Sequence, residues 1–204
     1  MQYRLQGKIL ALNDSAVIRR FDFFDPTEWF AVGSPHWTVT PEAITGGPET
    51  ATHGQIFYRR VLTGDMVMTF TARLIAPSDH DLVWWYRVAL DGQSWGRGYL
   101  GALGGWFRNR VGIETVPDFS LSATAAAFPV TGDTDYRIVA GCIGRHHFIA
   151  VDDAVVFELL LPEAMALPPD HAGHCGFGLY QSHVRYSELT LYRPVWTEAA
   201  ECYH

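Results

Sequence analysis

The sequence predicts an all-β protein built as a two-sheet antiparallel sandwich. Turn-forming pairs such as Asp25-Pro26, Asp91-Gly92 and Asp152-Asp153 recur at short intervals, and the segments between them alternate apolar with polar residues. Almost no stretch shows helical spacing, apart from one turn at 162–166. Many short strands at this spacing are typical of β-sandwiches. The predicted strands are residues 55–61, 66–74, 82–90, 106–113, 136–143, 147–151, 155–160, 176–180 and 187–192.

Length and composition fit one globular domain. The chain has 204 residues, of which 48% are hydrophobic and 18% charged, so it has enough apolar material for one sandwich over residues 1–204, with its core at about 20–195. The net charge of −7 argues against a nucleic-acid partner, because phosphate binding needs a basic surface. No apolar run reaches the roughly 20 residues that cross a bilayer, so we expect no membrane partner.

The N-terminal segment and the cysteines predict a cytoplasmic protein. The first residues lack the apolar run and the small-residue cleavage site of a signal peptide. Cys142, Cys175 and Cys202 are odd in number and lack metal-ligand spacing, so we expect reduced thiols, two of them filling the core. The nine histidines show no converging ligand pattern either. We therefore expect no cofactor and leave a divalent metal as an alternative.

Two predicted strands carry the functional inference. In residues 82–90 and 106–113 one set of alternate side chains is mostly apolar or aromatic, which suits the core. The opposite set is rich in tryptophan and arginine. If the two strands are neighbours in one sheet, these side chains share one exposed surface. That surface holds Trp85, Arg87, Trp106, Arg108, Arg110 and Glu114.

The order of several motifs resembles a known superfamily. Phe21-Asp22-Phe23 followed by Trp29 is similar to the opening "F-D-x-F … W" of concanavalin A-like lectin and glucanase domains, and residues 173–180 resemble their closing strands. The segment 106–110 is most similar to the YesU-like bacterial family, which is associated with pectin degradation. A looser resemblance is to the domains that hydrolyse or eliminate 3-keto-glycosides. The resemblance covers roughly residues 20–195 and implies a jelly-roll sandwich that holds a saccharide on its concave sheet.

The exposed residue types suit a saccharide. Indole and phenol rings stack on sugar rings, and guanidinium groups bind vicinal hydroxyls or a carboxylate, as in uronic acids. Trp95 and Tyr99 lie in a glycine-rich connection, residues 92–105, that we expect at the rim of the same site. The alternative is that these aromatic residues pack under loops and that an arginine pairs with Glu114. The candidate substrate-binding residues are Trp85, Arg87, Trp95, Tyr99, Trp106 and Arg110.

Catalysis would need further groups at this surface. Arg108 is a candidate anion stabiliser, Glu114 a candidate acid/base and His147 a candidate base. A glycoside hydrolase normally uses two carboxyl groups, and the pattern places no second one on the same face; Asp118 is the nearest. The paired-acid motif E-x-D-x-E of related glucanases is absent.

Three hypotheses follow. The first is a lyase or hydrolase of polysaccharide degradation that acts on a small oligosaccharide, including uronic-acid ones. The second is a non-catalytic, lectin-like carbohydrate-binding module. The third is a structural sandwich whose exposed aromatic residues form a homo-oligomer interface.

Overall fold

The computed structural model describes residues 1–33, 37–48, 53–91, 94–106 and 109–199, with only the backbone of residue 126. The expected all-β class is confirmed: two large antiparallel sheets pack face to face as a sandwich. We call them the front sheet and the back sheet. The described residues include no helix long and apolar enough to cross a membrane.

The front sheet carries the candidate site. Its strands, in spatial order, are β15 (Ser122–Ala127), β14 (Arg110–Val116), β13 (Gly98–Gly105), β10 (Leu82–Val88), β19 (Ala172–Tyr180), β7 (His53–Tyr58) and β4 (Trp29–Gly33), and β8 (Leu62–Thr63) also pairs with β19. The back sheet has the order β18 (Ala154–Leu160), β17 (His146–Val151), β16 (Asp135–Ile143), β9 (Met66–Leu74), β20 (Val184–Arg193), β6 (Ile44–Gly46) and β5 (Trp37–Val39), and β3 (Ala16–Arg20) also pairs with β20.

Smaller elements complete the fold. A three-stranded sheet has the order β1 (Gln2–Leu5), β2 (Lys8–Ala11) and β21 (Trp196–Glu198), and a short hairpin joins β11 (Leu90–Asp91) to β12 (Ser94–Trp95). Three single 3-10 turns cover Leu12–Asp14, Pro26–Glu28 and Glu163–Met165. The last of them lies where the sequence predicts its one helical turn.

The main core lies between the two sheets and is rich in aromatic residues. Trp84 of β10 and Phe177 of β19 point inward from the front sheet and meet Phe70 and Tyr186 of the back sheet. The Phe177 and Tyr186 rings stack with centroids 4.2 Å apart. The Tyr186 hydroxyl accepts a hydrogen bond from the backbone amide of Val83 and lies 2.9 Å from that atom. This contact fixes the back sheet against the strand that forms the centre of the front sheet.

The outer faces of the two sheets differ. The small sheet packs on the outside of the back sheet, where Tyr3 and Leu10 join a second apolar cluster with Val67 and Phe148. The outer face of the front sheet instead carries a third cluster that includes Trp85. An open cavity lies on that face.

The structure corrects one expected adjacency. Strands β10 and β14 are not neighbours, because β13 lies between them, inside the segment that the sequence predicts as a glycine-rich connection. Glycine has low strand propensity, so the pattern hides this strand. The glycines are required by close packing: a Cβ at Gly101 would lie 2.5 Å from Nε1 of Trp84. Cys142 and Cys175 are buried free thiols, as expected, and Cys202 lies outside the described residues.

Candidate functional site

A cavity of about 480 Å³ opens on the outer face of the front sheet. Residues of β7, β10, β13, β14 and β19 form its floor, and the segments that follow β13 and β14 form part of its wall. Its volume lies within the range of about 300–1,000 Å³ that is typical of small-molecule sites. The lining is predominantly apolar and includes a few polar side chains, which is the usual composition of a ligand pocket.

Aromatic rings form one side of the cavity. Trp85 lies on the outer face of the front sheet, where it is only 2% exposed, and Trp95 stands edge-on to it with ring centroids 4.8 Å apart. Phe119 is edge-on to Trp95 at 5.9 Å and is exposed. Gly178 makes room for the Trp85 indole, since a Cβ there would lie 2.6 Å from Trp85 Nε1. That buried Nε1 donor has no hydrogen-bond partner among the described residues.

Trp106 and Glu114 form a polar pair at the same cavity. Trp106 follows β13 with a positive φ of 49°, and its Nε1 donates a hydrogen bond of 2.7 Å to Oε1 of Glu114. Both residues are half-buried and line the cavity. The bond fixes the plane of the indole and holds a carboxylate beside it.

Asp81 supplies a second carboxyl group. It precedes β10, lines the cavity and is 8% exposed. Burial raises the pKa of Asp81 to about 7, Glu114 adds to the rise, and the Ser182 hydroxyl and the Tyr180 amide oppose it. Ser182 is close enough to affect the pKa of Asp81. In the described structure, however, neither the Ser182 Oγ nor the Asp81 Oδ1 has a partner with acceptable hydrogen-bond geometry. Ionising a carboxyl group in such a buried place is costly, which agrees with the raised pKa of Asp81.

Four of the predicted site residues meet at this cavity: Trp85, Trp95, Trp106 and Glu114. Arg110 is exposed and does not line it; its Nη1 donates to Oγ1 of Thr124 at 3.2 Å. Arg108 lies outside the described residues.

The structure corrects the expected position of Arg87. A β-bulge between Trp85 and Val88, with a φ of 54° at Arg87, breaks the alternation that would have placed Arg87 beside Trp85. The guanidinium is buried, and its Nη2 donates to the carbonyl of Pro168. Arg87 therefore contributes no charge to the lining of the cavity.

Tyr99 and His147 are also placed in the interior. His147 lies on β17 of the back sheet, fully buried, with Nδ1 2.8 Å from the hydroxyl of Tyr86. The Tyr99 ring packs edge-on against the His147 ring at 4.4 Å, and its hydroxyl accepts a hydrogen bond from the amide of Leu167. Burial, with smaller effects of Arg87 and His146, lowers the pKa of His147 to about 3. The positions expected for these two side chains, at the rim and on the concave face, are corrected accordingly.

Sequence reasoning missed Asp81 and Gln55, which both line the cavity. Asp81 stands one residue before a predicted strand, and the position of a carboxylate at a strand end is the only signal that points to it. Asp118, the acid nearest in sequence to Glu114, lines a separate cavity at the end of the sheet.

No group of three or more potential metal ligands converges in the described part of the chain. His146, next to His147 in the sequence, also belongs to the back sheet, where its Nε2 lies 3.0 Å from Oε1 of Glu158. Neither His146 nor His147 lines the cavity.

Comparisons with known proteins show the fold. No protein-family model and no curated protein sequence matches the chain. A Bacillus subtilis protein of unknown function with a galectin-like fold is 12% identical with a TM-score of 0.70, covering 88% of this chain and 97% of that one. The carbohydrate-binding module CBM66 from Bacillus subtilis is 15% identical to this chain with a TM-score of 0.63, and the match covers 81% of this chain and 95% of that module.

A third similar structure has a sugar bound. The exoplasmic/lumenal domain of VIP36 in its Ca²⁺/Man3GlcNAc-bound form is 13% identical with a TM-score of 0.60, covering 94% of this chain and 92% of that one. These likenesses show that the chain has a galectin-like β-sandwich fold, in agreement with the concanavalin A-like fold that the sequence motifs imply.

Proposed function

We propose that this lectin-like sandwich binds a carbohydrate in the cavity of its front sheet. The observation that carries the proposal is the meeting of three tryptophans with two carboxyl groups around one cavity. Trp95 and Trp106, which pack over the buried Trp85, offer ring faces and edges to the C–H surface of a sugar, while Asp81 and Glu114 accept hydrogen bonds from its hydroxyls. The proposal draws support from CBM66, a carbohydrate-binding module, and from the sugar-bound form of VIP36.

Glycoside hydrolysis is a second candidate function, which the two carboxyl groups favour. A hydrolase needs one carboxyl that carries a proton near neutral pH and one that is ionised. Burial raises the pKa of Asp81 to about 7, which suits the first role, and Glu114 is a second carboxyl group on the same cavity. The link to polysaccharide degradation in the YesU-like family belongs to this candidate, and release of new reducing ends from a bound oligosaccharide tests it.

Trp95→Ala should weaken saccharide binding at least tenfold, because the indole wall is lost while the sheet beneath keeps its strands. Isothermal titration against neutral and uronic-acid oligosaccharides measures the effect, and the wild-type protein should also melt at a higher temperature with a ligand that binds.

The matched control is Trp196→Ala. Trp196 lies on β21 of the small sheet, where it stacks under the Lys8 ammonium, and it does not line the cavity. It should bind as the wild type does. Equal losses in the two variants, or a wild type that binds none of the sugars, would contradict the proposal.

A further inference from the structure

The described lining of the cavity is acidic. Among the described residues it contains the carboxyl groups of Asp81 and Glu114 and the imidazole of His53, and no lysine or arginine. Two arginines that the sequence places on this surface lie elsewhere: Arg87 is buried against Pro168, and Arg110 bonds to Thr124. A uronic acid would therefore bring its charge to two carboxyl groups with no lysine or arginine in the described lining to offset it.

The hydrogen-bonding chemistry of the two carboxyl groups points to the same ligand class. Asp81 and Glu114 line the cavity, and an ionised carboxyl group only accepts hydrogen bonds. A neutral sugar can donate to it from a hydroxyl at C6, whereas the C6 carboxylate of a uronic acid cannot donate and repels it.

We infer that the cavity selects uncharged saccharides and rejects uronic acids. This inference rests on the proposed function and narrows its ligand class. It replaces the uronic-acid preference expected from the arginines of the sequence, since Arg87 and Arg110 do not line the cavity and a second carboxyl group, that of Asp81, does.

The test is isothermal titration at pH 8 with pairs of oligosaccharides that differ only at C6. Suitable pairs are α-1,4-galactobiose with digalacturonate, and β-1,4-mannobiose with dimannuronate. In any pair that binds, the neutral member should bind at least tenfold more tightly. A uronate that binds as tightly as its neutral partner, or more so, would overturn the inference and leave the proposed function standing. If no member of any pair binds, the proposed function fails and the inference falls with it.

Isosteric variants assign the selectivity to its source. Asp81→Asn and Glu114→Gln remove the charges without changing side-chain volume, so each should reduce the neutral-to-uronate affinity ratio severalfold, with folding checked by thermal melting. Glu158→Gln, an isosteric change on the back sheet at a residue that does not line the cavity, should leave the ratio unchanged. A ratio unaltered in both carboxyl variants would show that the carboxyl groups do not cause the selection.

Discussion

Asp81→Asn is expected to remove a pH dependence from the stability of the protein. The difference in free energy of unfolding between the variant and the wild type should be about 4 kcal/mol more favourable to the variant at pH 8 than at pH 4. Burial raises the pKa of Asp81 from 3.8 to about 7. The folded state therefore binds the proton more tightly than the unfolded state. The resulting stability is fully present below pH 3.8 and is lost as pH rises through 7. Asparagine mimics the protonated side chain and does not ionise.

The surroundings of Asp81 reinforce this expectation. Glu114 faces it across the cavity, and the fully buried Tyr186 and the exposed Tyr180 lie near it on β20 and β19. None of these three groups carries a positive charge; the other ionisable residue in the described lining is His53. Urea unfolding of wild type and variant at pH 4, 6 and 8 measures the difference. Stability curves that stay parallel over this range would show that Asp81 ionises freely in the folded protein.

His147→Gln should shift stability in the opposite direction. Burial lowers the pKa of His147 from 6.5 to about 3, and the Arg87 guanidinium and His146 contribute. The unfolded state then binds the proton more tightly, so the stability contributed by neutral His147 is present above pH 6.5 and is lost as pH falls toward 3. His147→Gln lacks this loss. In the same urea experiment, the difference in free energy of unfolding between the variant and the wild type should therefore shift by about 3 kcal/mol in favour of the variant as the pH falls from 7 to 4.

Tyr86→Phe is the matched control for His147→Gln. It removes the hydrogen bond to His147 Nδ1 but leaves the imidazole buried. The free energy of unfolding of Tyr86→Phe at pH 7 should be about 1–3 kcal/mol lower than that of the wild type. It should still decrease on acidification as in the wild type, because His147 is retained. A His147→Gln protein with the same pH dependence as the wild type would mean that His147 protonates without unfolding.

The two buried groups oppose one another over the same pH range. Between pH 4 and 7 the contribution of His147 to the free energy of unfolding rises while that of Asp81 falls. The two contributions therefore partly cancel in the wild type, and each single variant should show the pH dependence of the group that remains.

Alternation predicted the strands whose side chains follow a regular local rule. Residues 66–74 match β9 at both ends, because Met68, Phe70 and Ala72 enter the core in strict alternation. The same rule placed Trp85 on the outer face of β10 and Trp84 in the core. These features are local, so the sequence alone was sufficient for them.

The features that the sequence did not predict depend on contacts between segments that are distant along the chain. The bulge that buries Arg87 places its guanidinium against the carbonyl of Pro168, 81 residues away. The strand β13 is glycine-rich because Trp84 packs directly on Gly101, a contact that the sequence does not display. The burial that shifts the pKa of Asp81 likewise arises from the assembled front sheet and the segment after β19. No local pattern encodes such contacts.

A crystal structure of the protein with the tightest-binding neutral oligosaccharide tests the central claim most directly. We expect a sugar ring in the cavity against Trp95 and Trp106, with one hydroxyl within hydrogen-bond distance of a carboxyl oxygen of Asp81 or Glu114. A sugar bound at the loops of the sandwich or on the back sheet, with the cavity empty, would contradict the account.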